Sequence, residues 1–296
     1  MQPAAVQADD QPGGAHDVAF AFVQALAAEL SAGTQQLPGY PAAIARLQQL
    51  LQDDTLELSK LVDALSCEPA VAGQILRMAN SAALNPGRVP VVDLNSAVSR
   101  VGLNAVRTAT IAVGMSQVRT APELRGLENR LEALWGRNVQ VASLCQAIAR
   151  RFTQLNAEAA MLAGLLQGVG KLYILARAGG HRALFSDEQA YRTIERTWHV
   201  GIATALIESW GIAAEIVEAV RGSEDLRHDS RGAPTLSDVL SAAVQLVEFD
   251  GTPEALRTQV SDTRPLQRLQ LDFDKCVDFM QAAAQEVTAL REALSS

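Results

Sequence analysis

The sequence predicts an all-α protein, and three observations carry that expectation. Aromatic residues make up only 4% of the 296, while Ala and Leu abound, the small and straight-chain residues that lose least on entering a helix. From Val18 almost to the C-terminus, apolar residues recur at steps of three and four. No stretch alternates polar and apolar residues as a half-buried strand would.

The elements follow in order. Residues 1–17 combine Gln, Pro, Gly and Asp and read as a disordered tail. The run VAFAFVQALAAEL places Phe20, Val23, Leu26 and Ala27 on one side of a first helix. LPGYPAAIARLQQLLQD carries a stripe of Ile44, Leu47, Leu50 and Leu51, and TLELSKLVDALSCEP repeats the pattern. Pro69 suits the first turn of the next helix, which points Val71, Ile75, Met78 and Ala82 inward and is broken by NPGRVP. LNSAVSRVG and LNAVRTATIAVGM form two short helices joined at Gly102. A longer helix spans about 124–152 and is expected to bend at Gly136. Asn156 caps NAEAAMLAGLLQ. Further helical periods cover roughly 187–199, 200–210, 212–221, 236–249 and 272–294.

Bulk properties exclude several classes. The formal net charge of −8 argues against broad nucleic-acid binding, which needs clustered Lys and Arg. Cys67, Cys145 and Cys276 are odd in number, far apart and form no CxxC pair, so they read as reduced core thiols. The N-terminus lacks the basic start and apolar run of a signal peptide. No stretch approaches 18 consecutive apolar residues, so no membrane span is expected and the expected location is the cytoplasm.

The stretch AGLLQGVGKLYIL, residues 163–175, offers Gly-x-Gly-Lys on an apolar background. A phosphate loop needs Gly, four residues, then Gly-Lys-Ser/Thr after a strand. Five residues before Gly170 stands Leu165, Leu172 follows Lys171, and the preceding element is a helix. The phosphate-loop reading fails on all three counts.

The same stretch resembles one that proteins of the HD superfamily write as A-G-L-L-H-D-I-G-K-L. Upstream, LRMANSAALNPGRVPVVDLNSAVSRVGLNAVRTATIAVGM is similar to the signature half of the HDOD domain, the HD-related output domain of bacterial signalling proteins. LWGRNVQVASLCQAIAR and HVGIATALIESWGIAAEIVEAV extend the likeness over about residues 36–225. The resemblance implies an N-terminal helical subdomain (18–118) packed on an HD-like helical subdomain (122–250). A C-terminal helical extension (251–296) is expected to pack back or to mediate self-association. Related chains carry a receiver or cyclic-nucleotide enzyme domain beside this one. With no room for one here, input or output is expected to arrive through another molecule.

In catalytic HD proteins, a His, a His-Asp pair and a distant Asp converge on a divalent metal that activates water against a phosphoester. Here the His-Asp pair is replaced by Gln167-Gly168, and the upstream His falls on Arg137, or on Asn138 if the register slips by one. A neutral amide is a weak ligand, glycine supplies no side chain, and Arg137 is a fixed cation. His199 matches a family histidine, a later His pair corresponds roughly to Gly222-Ser223, and Glu248 stands for the distant Asp. His199, among apolar neighbours, reads as a hydrogen-bonded core residue. His16, His181 and His228 lie in the tail or in polar connectors. No metal, cofactor or catalytic residue is therefore expected. Gly168 and Gly170 are read as permitting a sharp turn or close helix approach, and Lys171 as snorkelling outward.

Three further constellations have a bland and a functional reading. NSAVSRVGLNAVRTATI resembles a helix-turn-helix with Arg100 and Arg107, but Ala97 lies five rather than four residues before Gly102 and the chain is acidic. A structural helix pair is the expectation, and DNA is not an expected partner. Arg77, Asn80 and Ser81 share a helix side and form a candidate interaction patch, the alternative being a helix end that ties down the loop after it. Arg137 either grips an anionic ligand with its planar fork or pairs with one of the chain's carboxylates. Cys145 has no basic neighbour to activate it.

The leading expectation is a non-catalytic signalling or regulatory protein that acts through protein–protein contact with a signalling or transcriptional partner, gated by a small ligand in the vestigial cleft. The alternative is a sensor of a nucleotide second messenger, or a residual phosphohydrolase, holding its ligand with Arg137, Gln167, Lys171 and His199.

Overall fold

A computed structural model describes residues 15–33, 36–53, 55–81, 89–227, 232–249, 253–260 and 263–295. The expected tail up to residue 14, most of the NPGRVP loop and His228 lie outside the described residues.

Among the described residues every regular element is helical: α1 (Ala15–Ala32), α2 (Ala42–Leu50), α3 (Leu58–Ser66), α4 (Pro69–Ala79), α5 (Leu94–Val101), α6 (Leu103–Val118), α7 (Glu128–Phe152), α8 (Ala157–Leu166), α9 (Val169–Ala178), α10 (Glu188–Ser209), α11 (Ala214–Gly222), α12 (Leu236–Glu248), α13 (Pro253–Val260), α14 (Arg264–Arg268) and α15 (Phe273–Ser295). Local chemistry explains several ends. Asp93 accepts the Ser96 N–H at the start of α5, and Asn156 accepts the Ala159 N–H at 3.0 Å to cap α8. Gly102, at φ +81°, takes the left-handed backbone needed to pass from α5 into α6. Thr235 and Asp238 form a reciprocal capping box on α12, and Arg268 of α14 bonds the same Asp238 at 3.0 Å.

Two apolar clusters organise the chain. The smaller is built by α2 to α6 from side chains such as Ile44, Leu47, Leu61, Leu65, Val71, Ile75, Val98 and Val106. The larger is built chiefly by α7 to α12 and takes in Phe22 and Leu26 of α1 and Cys276, Phe279 and Ala283 of α15. Helix α6 serves both: Val106 and Ala109 face the smaller cluster, while Ile111, Ala112, Met115 and Val118 enter the larger. α1 is further tied to α9 by Glu29, which accepts from Tyr173 and pairs with Arg177. α8 lies hard on α7, because a Cβ on Gly164 would stand 2.6 Å from the Cα of Ala142. The stretch 157–178 is long and apolar enough to cross a membrane, but 94% of its apolar window is buried in this core, and a turn at Gln167–Gly168 divides it.

Several details differ from the sequence reading. Residues 187–199 and 200–210 belong to the single helix α10, because Ile194, His199, Ile202, Ala203 and Leu206 carry one buried face past the exposed Gly201 and outweigh its low propensity. α7 runs unbroken through Gly136. Phe20 is 65% exposed, and Phe22 is the buried aromatic of α1, with its ring 5.4 Å from that of His181. Both phenylalanines satisfy a helical period, so only the docking direction distinguishes them. Cys67 is exposed, while Cys145 and Cys276 are buried thiols.

Candidate functional site

Seven positions singled out by the family pattern gather at one end of the larger half. α7 brings Arg137 and Asn138, the end of α8 brings Gln167 and Gly168, and α9 brings Lys171. α10 brings His199, and Glu248 ends α12. They surround or underlie an open cleft of about 720 Å³ whose walls include Arg137, Lys171, His199, Glu224 and Glu248. Gln167 is not on that wall. It is 8% exposed, beneath the surface, and its Nε2 donates to Oδ1 of the buried Asn138 at 3.1 Å.

Apart from Lys171, the side chains at these positions are engaged within the protein. Arg137 pairs with Glu248 at 3.2 Å, so a cation and an anion from the two ends of the family's ligand set neutralise each other. His199 is 4% exposed, and its Nε2 lies 2.7 Å from Oε1 of Glu224. With Nε2–H donating, this bond holds the Glu224 carboxyl below its ordinary range, and the nearby charges of Lys171 and Arg196 add to the effect. Nδ1 of His199 is buried without a partner. The acid limb of this pair was not foreseen, although Glu224 directly follows the Gly222-Ser223 positions. Ser223 itself is buried and donates to the Val220 carbonyl at 2.8 Å.

The glycines act through close approach. Neither Gly168 nor Gly170 has a positive φ. A Cβ on Gly168 would fall 1.9 Å from Oδ1 of Asn138, and one on Gly170 would fall 1.9 Å from the backbone oxygen of His199. An aspartate at 168 would therefore collide with Asn138. This donor set does not fit a catalytic divalent cation. It consists of a neutral amide already bonded, a guanidinium, an imidazole already bonded, and a carboxylate shared with arginine. Among the described residues no three His, Cys, Asp or Glu side chains gather at metal-binding distance.

In the second candidate group, Arg77 and Asn80 are exposed at the end of α4, and both make bonds within the smaller half. Arg77 donates to Gln74 on its own helix. Asn80 ends α4, donating to the Leu76 and Val91 carbonyls at 2.9 and 2.8 Å while accepting the Val91 N–H at 2.8 Å. It thus ties the chain returning to α5 onto α4. Ser81 follows in a half-buried bend. Arg107, one of the two arginines of the helix-turn-helix reading, is turned inward and donates from Nη2 to the Leu51 carbonyl at 2.7 Å, closing the end of α2. The Cys145 thiol is fully buried, which pushes its pKa up and leaves no nucleophile there.

Comparison with known proteins agrees with this architecture. Residues 37–226 match the HDOD domain. A protein of Shewanella amazonensis SB2B, given the provisional name of metal-dependent phosphohydrolase, has a crystal structure that superposes at a TM-score of 0.73, with 22% identity, covering 94% of this chain and 99% of that one. An HDOD domain protein of unknown function from Geobacter sulfurreducens superposes at 0.63, with 20% identity over 91% of this chain and 97% of its own. A protein provisionally named for signal transduction, from Marinobacter aquaeolei VT8, reaches 0.56 at 18% identity over 95% and 69% of the two chains. An uncharacterized protein of Treponema pallidum (strain Nichols) is 22% identical over 237 residues, and the chain spans about half of that relative's length, 45%. At these identities the solved structures speak to the fold. Taken with the match across 37–226, they place the chain in the HDOD family.

Proposed function

We propose that this chain is a non-catalytic regulatory member of the HDOD family that works by contact with a protein partner. The observation that carries the reading is Asn138, whose side chain fills the space beside Gly168 and bonds Gln167. Metal-assisted hydrolysis needs ligands in that space with an open coordination position for water. Here the space holds a hydrogen-bonded amide pair instead.

A surface role is supported by the distribution of exposed apolar side chains. Apart from Phe20 of α1, at 65% exposure, the large apolar side chains exposed among the described residues are Leu58, Val89, Val92 and Leu103, at 40%, 68%, 83% and 51%, and these four belong to the smaller half. A partner of the signalling or transcriptional kind would cover them.

The test is metal analysis of the purified full chain together with phosphodiesterase assays on bis(p-nitrophenyl) phosphate in Mn, Fe or Mg. The expected result is no stoichiometric metal and no turnover distinguishable from that of Q167A. Stoichiometric metal with turnover that Q167A abolishes would make the protein an enzyme.

A second reading has one observation in its favour. Lys171 and Arg196 line the cleft and act on Glu224 without an ion pair of their own within 4 Å among the described residues. They would hold a nucleotide's phosphates, with Arg137 after release from Glu248 and with His199, while Gln167 lies too deep to join them. Calorimetry against cyclic dinucleotides and guanosine polyphosphates distinguishes the readings. Saturable heat lost in K171Q would favour the sensor.

A further inference from the structure

A second cavity lies where the two helical halves meet, away from the cleft above. It encloses about 310 Å³. One wall comes from the end of α2 and from α6, with Gln48, Arg107 and Ile111. The other comes from α8, the α10–α11 turn and the start of α11, with Leu162, Trp210 and Ile216.

Gln48 is the unusual member. It sits on the apolar stripe of α2 between Leu47 and Leu51 and is only 6% exposed, yet neither Oε1 nor Nε2 has a hydrogen-bond partner. Buried carboxamides are almost always bonded, since leaving donor and acceptor both unmet forfeits their hydration for nothing. Every other polar residue lining this cavity is at least partly exposed. The unmet group therefore belongs to the cavity's deep side, and a partner must come from within the cavity.

The surrounding wall is held in place before anything arrives. Gln52 donates to the Trp210 carbonyl at 2.6 Å. Gly211, at φ +64°, leaves room for the Gln52 side chain, which a Cβ would meet at 2.4 Å. Tyr40 stacks on Trp210 with ring centres 5.4 Å apart and planes within 19°, fixing the indole. Arg107 is anchored on the Leu51 carbonyl through Nε and Nη2 at 3.2 and 2.7 Å. The cavity thus combines apolar side chains, an oriented indole, a fixed cation and one unmet carboxamide, with Gln52, Asn104 and Glu215 also on its lining.

We propose that this junction cavity binds a small molecule bearing a purine base, with Gln48 pairing to the base's adjacent donor and acceptor. A carboxamide offers one donor and one acceptor in a plane, and a base edge supplies their complement, as glutamine does with adenine. A base's π-face suits the apolar side chains and Trp210. The volume falls at the low end of the roughly 300–1,000 Å³ typical of ligand sites, so it takes a nucleoside or its monophosphate and excludes a dinucleotide. Such a ligand touches both halves at once and would bias how they sit together. This inference is independent of the reading of the other cleft, and its test separates the two.

The experiment is calorimetric titration of the full chain with adenosine, guanosine and their 5′-monophosphates, with tryptophan emission as a second readout. Saturable binding of at least one, with a dissociation constant below 1 mM and a change in emission, is expected. Q48L should weaken that binding at least tenfold while raising the apo melting temperature, because a leucine of similar volume removes the unbonded amide. K171Q, in the other cleft, should leave it unchanged. The proposal is overturned if none of the four binds, which leaves ordered water as Gln48's partner, or if binding survives Q48L or is lost in K171Q. A lower melting temperature in both Q48L and Q48M would assign Gln48 to packing and overturn it as well.

Discussion

Gly170 and Gly168 sit in helical conformations that any residue could adopt, so what they supply is absence of bulk. At Gly170 the obstacle is the backbone oxygen of His199 at 1.9 Å from a built Cβ, and backbone cannot rotate away as a side chain can. G170A should therefore separate α9 from α10 and destabilise by about 3 kcal/mol or more, read as a fall in the urea midpoint. Q167A tests the neighbouring bond. It leaves Oδ1 of the buried Asn138 without its donor, a loss of about 1–3 kcal/mol, with the same readout. Both costs come from replacing a contact that the tertiary structure alone reveals. The sequence marks both glycines as permissive but is silent on what stands opposite them.

Between elements, the acid–base links of the cleft set the pH response. Glu224 is held below its ordinary 4.5 by the hydrogen bond from His199, and Glu188 of α10 is held low by the bond from Arg130 of α7. A carboxyl whose folded pKa is depressed contributes stability that is full above its unfolded pKa and is lost as pH falls through the folded value. Stability should therefore drop on acidification below the ordinary glutamate range. E224Q should drop less steeply than the parent in urea midpoints taken from pH 7 to pH 3. The effect is modest because Glu224 is half exposed. The Arg137–Glu248 link joins α7 to α12, but its side chains are 31% and 56% exposed. R137A should thus cost under about 1 kcal/mol, a value that denaturant titration resolves from the larger loss at Gly170. The expectation that Arg137 pairs with a carboxylate needed only composition, whereas the identity of Glu248 required the fold.

At the scale of the molecule, the two halves share parts. α6 sends opposite faces into the two clusters, and α15 places Phe279 at 4% exposure within the larger core, its ring edge-on to Phe152 at 5.5 Å. Shared burial couples the halves, so unfolding monitored by tryptophan emission and by helical signal should coincide in one transition. F279A should lower that whole transition by about 3–5 kcal/mol, and loss of α15 signal ahead of the rest would show that the extension is an independent unit.

Periodicity alone determined that the chain is all-α and where most helices lie, because which residues turn inward on a helix is a local property of spacing. Motif order carried the family, and the substitutions at 137, 167 and 168 were visible as letters. The tertiary structure decided what those letters do: Asn138 in the gap beside Gly168, Glu224 against His199, and Gln48 unmet at the junction. Each depends on a neighbour from a distant helix. The space, charge and hydrogen-bond partners that such a neighbour brings exist only once the helices have packed.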